Sequence, residues 1–126
     1  MRLLLDTHAF IWSLVDRSRL SARALDAISD AENEVLASAV AAYEIEYKRP
    51  RDAELQRMPT DLDQVVKVQG FSWVGISWED ARDAARLPLI HRDPWDRLLV
   101  AQAERHGARL VTRDPWIASY NVRTFW

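Results

Sequence analysis

Short apolar runs alternate along the chain with segments whose apolar residues recur at helical spacing. The runs Leu3–Leu5, Val35–Ser38 and Leu110–Thr112 are uniformly apolar or nearly so, which is typical of strands covered on both faces. Weaker strand patterns lie at 71–76 and at 122–125. The pattern therefore predicts several short strands that are buried within a sheet.

Helical segments fill the intervals between the predicted strands. Ser21 and Ser77 are suited to cap helices, and Asp80 completes a capping box with Ser77. Thr60 and Asp63 form a similar predicted capping box. The predicted helices are Ala9–Val15, one after Ser21 with Leu25 and Ile28 on its apolar face, one through Tyr43 and Tyr47 that ends at Arg49-Pro50, one after Thr60, one from Ser77 that stops at Pro88, and one that opens at Asp93-Pro94 and ends at Gly107.

This alternation of strands and helices predicts an α/β fold with three layers, α/β/α, around a mainly parallel central sheet. No internal repeat and no low-complexity linker divides the chain. We therefore expect a single domain over residues 1–126, a length at which a hydrophobic core gives stability without disulfides.

Acidic residues stand at the ends of the predicted strands and near the starts of the helices that follow. In an open parallel sheet the carboxyl ends of the strands lie along one edge, and ligands bind in the crevice there. We therefore expect these carboxylates, which come from distant segments, to converge at that edge. They are Asp6 after the first strand, Glu44 on the helix after the second strand, Asp93 and Asp96 in the first turn of a later helix, and Asp114 two residues after Thr112.

Most of these carboxylates also have a purely structural interpretation. Asp6, Asp93 and Asp114 are each suited to cap the helix that follows. Glu44 is placed to pair with Lys48 one helical turn later. Taken singly, each residue leaves both interpretations open.

The position of Asp96 favours a metal site. Asp96 shares a helix face with Val100 and Ala103, so it lies in line with the apolar stripe rather than on the solvated side. Carboxylates buried together repel and raise one another's pKa unless a cation neutralises them. Oxygen ligands without cysteine favour Mg²⁺ or Mn²⁺ over zinc, and such ions promote the cleavage of phosphodiesters.

Charge and composition narrow the choice of function. The chain carries 17 basic and 19 acidic side chains, a formal net charge of −2, so its bulk charge does not attract nucleic acid. Bound metal ions would supply positive charge locally, and Arg92, Arg97 and Arg113, which flank the acids, are candidate contacts to a nucleic-acid backbone. The absence of cysteine excludes disulfides and thiolate metal sites. Asp6 interrupts the segment that a signal peptide would need, so we expect a cytoplasmic protein without membrane spans.

Four segments of the chain resemble the PIN domain, and more narrowly the VapC toxins of bacterial toxin–antitoxin pairs. They are Leu4–His8, Ser38–Lys48 with Glu44, His91–Leu99 and Leu110–Asp114. The resemblance implies a metal-dependent endoribonuclease whose catalytic residues and Mg²⁺ or Mn²⁺ ligands are Asp6, Glu44, Asp96 and Asp114. It implies supporting roles for Asp93 and for the Thr112 hydroxyl. It also implies an RNA substrate, pairing into dimers, and inhibition by a VapB-type antitoxin whose C-terminal tail lies across the acidic groove.

Two alternatives to this function stay open. One is a catalytically silent PIN-like module that only binds an antitoxin or RNA; measuring metal binding would distinguish it. The other is a ribonuclease-H-like nuclease, which is disfavoured because that fold begins with an antiparallel hairpin. The roles of His8 and His91, which lie beside acids, also stay open.

The chain is rich in tryptophan, with six residues. Trp12, Trp73 and Trp95 are expected to pack in the core or in a dimer interface. Stacking of RNA bases on Trp95 or Trp116 is the less favoured role. Tyr43 departs from the family pattern, which has tryptophan before the helix acid, and this affects partner choice rather than catalysis.

Overall fold

Five strands and seven α-helices alternate along the chain, and the computed structural model describes all of residues 1–126. The strands are β1 (Arg2–Leu5), β2 (Glu34–Ser38), β3 (Ser72–Val74), β4 (Arg109–Val111) and β5 (Thr124–Phe125). They form one sheet in the order β3-β2-β1-β4-β5, and every neighbouring pair is parallel. The predicted α/β fold with a parallel central sheet is confirmed.

Helices occupy the predicted intervals. They are α1 (Thr7–Val15), α2 (Ala22–Ser29), α3 (Ala39–Lys48), α4 (Leu62–Gln69), α5 (Trp78–Arg86), α6 (Pro94–Arg105) and α7 (Pro115–Ala118), with short 3₁₀ turns at Arg17–Arg19, Arg49–Arg51 and Leu55–Arg57. Ser21 caps α2, and Ser77 and Asp80 form the predicted capping box of α5. Local capping signals therefore located most helix starts correctly.

The start of α4 differs from the prediction. Thr60 does not cap this helix; Asp61 does, and its side chain accepts a hydrogen bond from the Gln64 N–H at 3.1 Å. Asp63 instead forms an ion pair with Lys67 one turn later, at 2.8 Å. The predicted capping box is wrong because the carboxylate of Asp61 satisfies the free N–H group one residue further along the chain.

The sheet is covered on both faces, as a parallel sheet requires. Leu3 and Leu5 pack in one buried cluster with residues of α1, α2 and α4. Leu4, which points to the opposite face of β1, packs in a second cluster with residues of α6 and α7. Helix α5 packs against α6. The arrangement confirms three layers and explains why β1 is entirely apolar after Arg2.

The order of the strands creates a switch point beside the central strand. From β1 the chain continues to β2 and β3 on one side, whereas β4 and β5 lie on the other side. A crevice suited to ligands forms where such connections diverge, at the carboxyl ends of the strands. Asp6 follows β1 and Asp114 follows β4 by a few residues, so both lie at this point.

The sheet topology also bears on the ribonuclease-H-like fold, which the sequence left open as an alternative. Both sheet partners of β1 are parallel to it, so the antiparallel hairpin of a ribonuclease-H-like fold is absent. None of the helices combines the length and the apolar character that crossing a membrane would need.

Candidate active site

A cavity of about 540 Å³ opens at the carboxyl ends of β1 and β4, and nearly all of the residues that line it are polar or charged. All five carboxylates that were expected to converge line this one cavity, although they come from segments far apart in sequence. They are Asp6, Glu44, Asp93, Asp96 and Asp114. The structure thus brings together the whole acidic set. The cavity is also lined by residues that the sequence had not placed in the site: Thr7, His8, Trp12, Arg19, Lys48, Glu54, His91 and Pro115.

Three of these carboxylates cap helices with one oxygen. Oδ1 of Asp6 accepts from the Ala9 N–H at 2.7 Å, and Oδ1 of Asp93 accepts from the Trp95 N–H at 2.9 Å. Asp114 caps α7 in the same way. The capping interpretation is therefore correct for each of them, and it does not compete with a role in the cavity. A cap fixes the direction of a carboxylate while leaving it a second oxygen for a ligand.

Asp6 is the most deeply placed of the acids, with 6% of its surface exposed. Burial raises the pKa of Asp6, and the charge of Asp114 adds to the rise, whereas hydrogen bonds from Thr112 and from the Ala9 N–H oppose it. Oγ1 of Thr112 also accepts from the Asp114 N–H at 3.1 Å. Thr112 is itself buried, so its hydroxyl is well placed to fix the backbone at Asp114.

Asp96 lies in a cluster with His91 and Asp93. Each of these residues offers one ligand atom, and the three atoms lie within 4.8 Å of one another. Nε2 of His91 is 2.9 Å from Oδ2 of Asp96. Burial, the charge of Asp93 and the charge of Asp6 raise the pKa of Asp96 to about 7, against the opposing effect of His91. Near neutral pH the carboxylates of this cluster repel one another, and a bound cation would remove that repulsion.

The backbone of His91 is held beside this cluster by the hydroxyl of Tyr120, which contacts both its N–H and its carbonyl group. Its N–H donates to the Tyr120 hydroxyl at 2.9 Å, and that hydroxyl lies 3.2 Å from the His91 carbonyl. The role of His91 stayed open at the level of sequence, because its contact with Tyr120 spans 29 residues and has no local signature.

Glu44 is buried at the wall formed by α3, with 7% of its surface exposed. Oε1 accepts from the Thr7 hydroxyl at 2.7 Å, and Oε2 accepts from Nζ of Lys48 at 2.6 Å. Burial alone would lower the pKa of Lys48, but the hydrogen bond and charge of Glu44, with the charges of Asp93 and Asp96, raise it. The predicted ion pair between Glu44 and Lys48 is therefore present, and it places the ammonium group of Lys48 at the wall of the acidic cavity.

The arginines predicted to contact a nucleic-acid backbone differ in their position relative to the cavity. Arg113 lines the cavity, with its guanidinium 4.5 Å from the centroid of the Trp12 ring. Arg92 is exposed but is not part of the cavity wall. Arg19, which had not been predicted, lines the cavity beside the same ring and pairs with Glu54 at 2.8 Å. Only Arg113 of the predicted trio is positioned to reach a ligand in the cavity.

Arg97 was predicted to contact a nucleic-acid backbone, and the structure contradicts this. It is buried, with 8% of its surface exposed, and it does not line the cavity. Its guanidinium donates to the carbonyls of Ala84 at 2.8 Å, Leu87 at 2.9 Å and Pro88 at 2.8 Å. Arg97 therefore holds the end of α5 and the loop that leads to His91, with both terminal nitrogens of its guanidinium bonded to backbone carbonyls.

The Arg97→Ala variant is expected to lower the free energy of unfolding by about 2 kcal/mol, because several buried carbonyls lose a charged donor. Urea denaturation at neutral pH measures the effect. The exposed Arg92→Ala variant is the matched control and should change stability by less than about 0.5 kcal/mol. Equal effects in the two variants would mean that the guanidinium of Arg97 does not hold the loop.

Comparisons with known proteins agree with this geometry. The model of the PIN domain family matches residues 3–121. Ribonuclease VapC22 of Mycobacterium tuberculosis (strain ATCC 25618 / H37Rv) is 34% identical over 122 residues, covering 93% of this chain and 90% of the relative.

Two solved structures share the fold at low sequence identity. VapBC2 of Rickettsia felis, bound to a DNA fragment from its promoter, superposes with a TM-score of 0.71 at 16% identity, covering 98% of this chain and 96% of that chain. FitAcB of Neisseria gonorrhoeae superposes with a TM-score of 0.70 at 19% identity, with the same coverage. The three-layer architecture is therefore one that other proteins adopt over nearly their whole length.

Proposed function

The chain belongs to the PIN domain family, and from that membership we propose that it is a metal-dependent endoribonuclease and the toxin of a toxin–antitoxin pair. The observation that carries the proposal is the meeting of Asp6, Glu44, Asp96 and Asp114 in one cavity at the switch point of the sheet. A ribonuclease is its relative over nearly the whole chain. We propose these four acids as the catalytic residues, supported by Asp93 and Thr112.

The donor set of the cavity suits a hard divalent cation. Six carboxylates and no thiolate line the cavity, a set that favours Mg²⁺ or Mn²⁺, and burial together with the charges of Asp93 and Asp6 raises the pKa of Asp96. We propose that Asp6, Asp96 and Asp114 hold the ion, together with Glu44. When bound, the ion neutralises these acids, makes water a better nucleophile and stabilises charge that develops on a phosphodiester.

Other residues of the cavity would hold the RNA and keep the acids in position. Lys48 and Arg113 are cations at the cavity wall, suited to contact the phosphates on either side of the scissile bond. Thr7 donates to Glu44 and prevents its side chain from rotating away. Oγ1 of Thr112 accepts from the Asp114 N–H and so fixes the backbone from which the Asp114 carboxylate projects. The proposal does not include Arg97.

The proposed setting is the cytoplasm, with a VapB-type antitoxin as the inhibitory partner. An open, acidic cavity with a few cations suits a peptide tail that carries a basic side chain. A homodimer, or a hetero-oligomer with the antitoxin, is the proposed assembly. Because a bound inhibitor would mask activity, the protein for assays should be the free chain, separated from its partner by denaturation and refolding.

The refolded free chain is expected to cleave single-stranded or looped RNA in the presence of Mg²⁺ or Mn²⁺. Cleavage of a labelled RNA should stop on addition of EDTA and return when the metal is restored in excess. The Glu44→Gln variant should lose at least about 100-fold in rate, because a neutral amide replaces the acid that Thr7 and Lys48 hold in the cavity.

Glu46→Gln is the matched control, since Glu46 lies on the same helix, is exposed and is outside the cavity. It should cleave RNA like the wild type. Cleavage that persists in EDTA, or in Glu44→Gln, would contradict the proposal. Metal binding without cleavage of any RNA would favour the catalytically silent module instead.

A further inference from the structure

An exposed cluster of aromatic side chains lies beside the cavity, and we call Tyr43, Tyr47 and Trp95 the aromatic platform. The two tyrosine rings stack one helical turn apart on α3, with centroids 6.1 Å apart and planes 14° from parallel. The Trp95 ring, in the first turn of α6, lies 6.3 Å from Tyr43 and 6.1 Å from Tyr47. Trp95 packs against the buried core, so the platform has a fixed base.

The platform and the cavity share a border. Glu44 and Lys48 alternate with the two tyrosines along α3, and Asp96 directly follows Trp95 on α6. Nζ of Lys48 lies 2.6 Å from Glu44 and 5.0 Å from the centroid of the Trp95 ring. One cation thus contacts both the acidic wall and the platform. A ligand that extends out of the cavity on this side would therefore meet the aromatic rings.

The two tyrosines of the platform are more exposed than side chains that serve only to pack the fold. Tyr43 and Tyr47 keep 58% and 53% of their surfaces in solvent, although they stack on each other. The guanidinium of Arg51 lies 5.6 Å from the centroid of the Tyr47 ring. Other exposed aromatics, such as Trp78 and Trp116, stand singly and away from such a cluster. Aromatic faces interleaved with cations are the surface that single-stranded nucleic acids use, because the bases stack and the phosphates meet positive charge.

We propose that the aromatic platform stacks an unpaired base of a single-stranded RNA next to the phosphodiester in the cavity. The inference rests on the proposed nuclease function and deepens it, because it assigns the unpaired base beside the cleaved bond to Tyr43, Tyr47 and Trp95. An unpaired base offers a flat face to the rings while its phosphate meets Lys48 or Arg51. A protein side chain would use only the apolar area, whereas a nucleotide also offers a phosphate to the exposed guanidinium of Arg51 beside Tyr47.

The Tyr43→Ala/Tyr47→Ala double variant tests the platform. On a single-stranded RNA, its KM should rise at least about tenfold while kcat stays near that of the wild type, the loss typical of a stacked base. Tyr43→Phe/Tyr47→Phe should restore KM, because phenylalanine keeps the stacking face. Trp78→Ala, which removes an exposed aromatic on α5 outside the cavity, is the control and should leave KM unchanged.

A binding measurement separates this inference from the nuclease proposal. Fluorescence anisotropy of a labelled single-stranded RNA in EDTA reports binding without cleavage, and sedimentation reports the oligomeric state. Weaker RNA binding by the double alanine variant, with an unchanged oligomer, supports the platform even if no RNA is cleaved. If the wild type cleaves RNA and the double variant matches it in both KM and affinity, the platform is overturned. Loss of an oligomer with unchanged RNA affinity also overturns it and assigns the rings to a protein interface.

Discussion

The Asp96→Asn variant is expected to lose RNA cleavage by at least about 100-fold while remaining folded. Asp96 lies within 4.8 Å of the ligand atoms of His91 and Asp93, and burial with the charges of Asp93 and Asp6 raises its pKa to about 7. Asparagine keeps the size and one oxygen but lacks the charge that attracts a cation. The rate of cleavage of a labelled RNA at saturating Mg²⁺ or Mn²⁺ is the measurement.

Asp26→Asn is the control for this substitution. Asp26 is exposed on α2 and does not line the cavity, so its replacement removes one negative charge without touching the proposed site. It should cleave RNA at the wild-type rate. If Asp96→Asn were as active as this control, Asp96 would have no part in catalysis and the metal site would need other ligands.

The metal-free protein is expected to lose stability as the pH rises from 4.5 to 8, with Asp96 contributing about 3 kcal/mol to the loss. The carboxyl has its ordinary pKa of 3.8 in the unfolded chain and a pKa of about 7 in the folded one. Between these values the folded state binds more protons, so the free energy of unfolding falls with rising pH. Above the folded pKa this contribution is absent.

Urea denaturation of the wild type and Asp96→Asn in EDTA isolates the contribution of this residue. The two proteins should be about equally stable at pH 4.5, and the variant should be the more stable at pH 8. Adding Mn²⁺ at pH 8 should stabilise the wild type selectively, because the ion binds only the folded state. A variant less stable than the wild type at pH 8 would mean that the ionised carboxylate supports the fold, for example through His91.

Much of the fold follows from local signals. The apolar character of Leu3–Leu5 and the caps at Ser21 and Ser77 depend on neighbours a few residues away, and all were correct. The convergence of Asp6 and Asp114 could also be predicted, because parallel strands bring their carboxyl ends to one edge. Their catalytic roles stay predictions until activity is measured.

One error was local, because Asp61 rather than Thr60 caps α4, and the others concern arginines at or near the cavity. Arg97 follows Asp96 in sequence, but it is one third of a helical turn away and shares a face with Val100 and Ala101. The spacing that indicated a buried Asp96 therefore indicated a buried Arg97 as well. Arg19 gave no such signal, since its place at the cavity depends on how the turn after α1 packs.

The central claim is that carboxylates from separate segments form one site for a hard cation, and calorimetric titration of the refolded free chain with Mn²⁺ tests it most directly. The account predicts a saturable heat for the wild type and for Asp26→Asn, and binding at least about tenfold weaker for Asp96→Asn. Indistinguishable heats for the wild type and Asp96→Asn would contradict it.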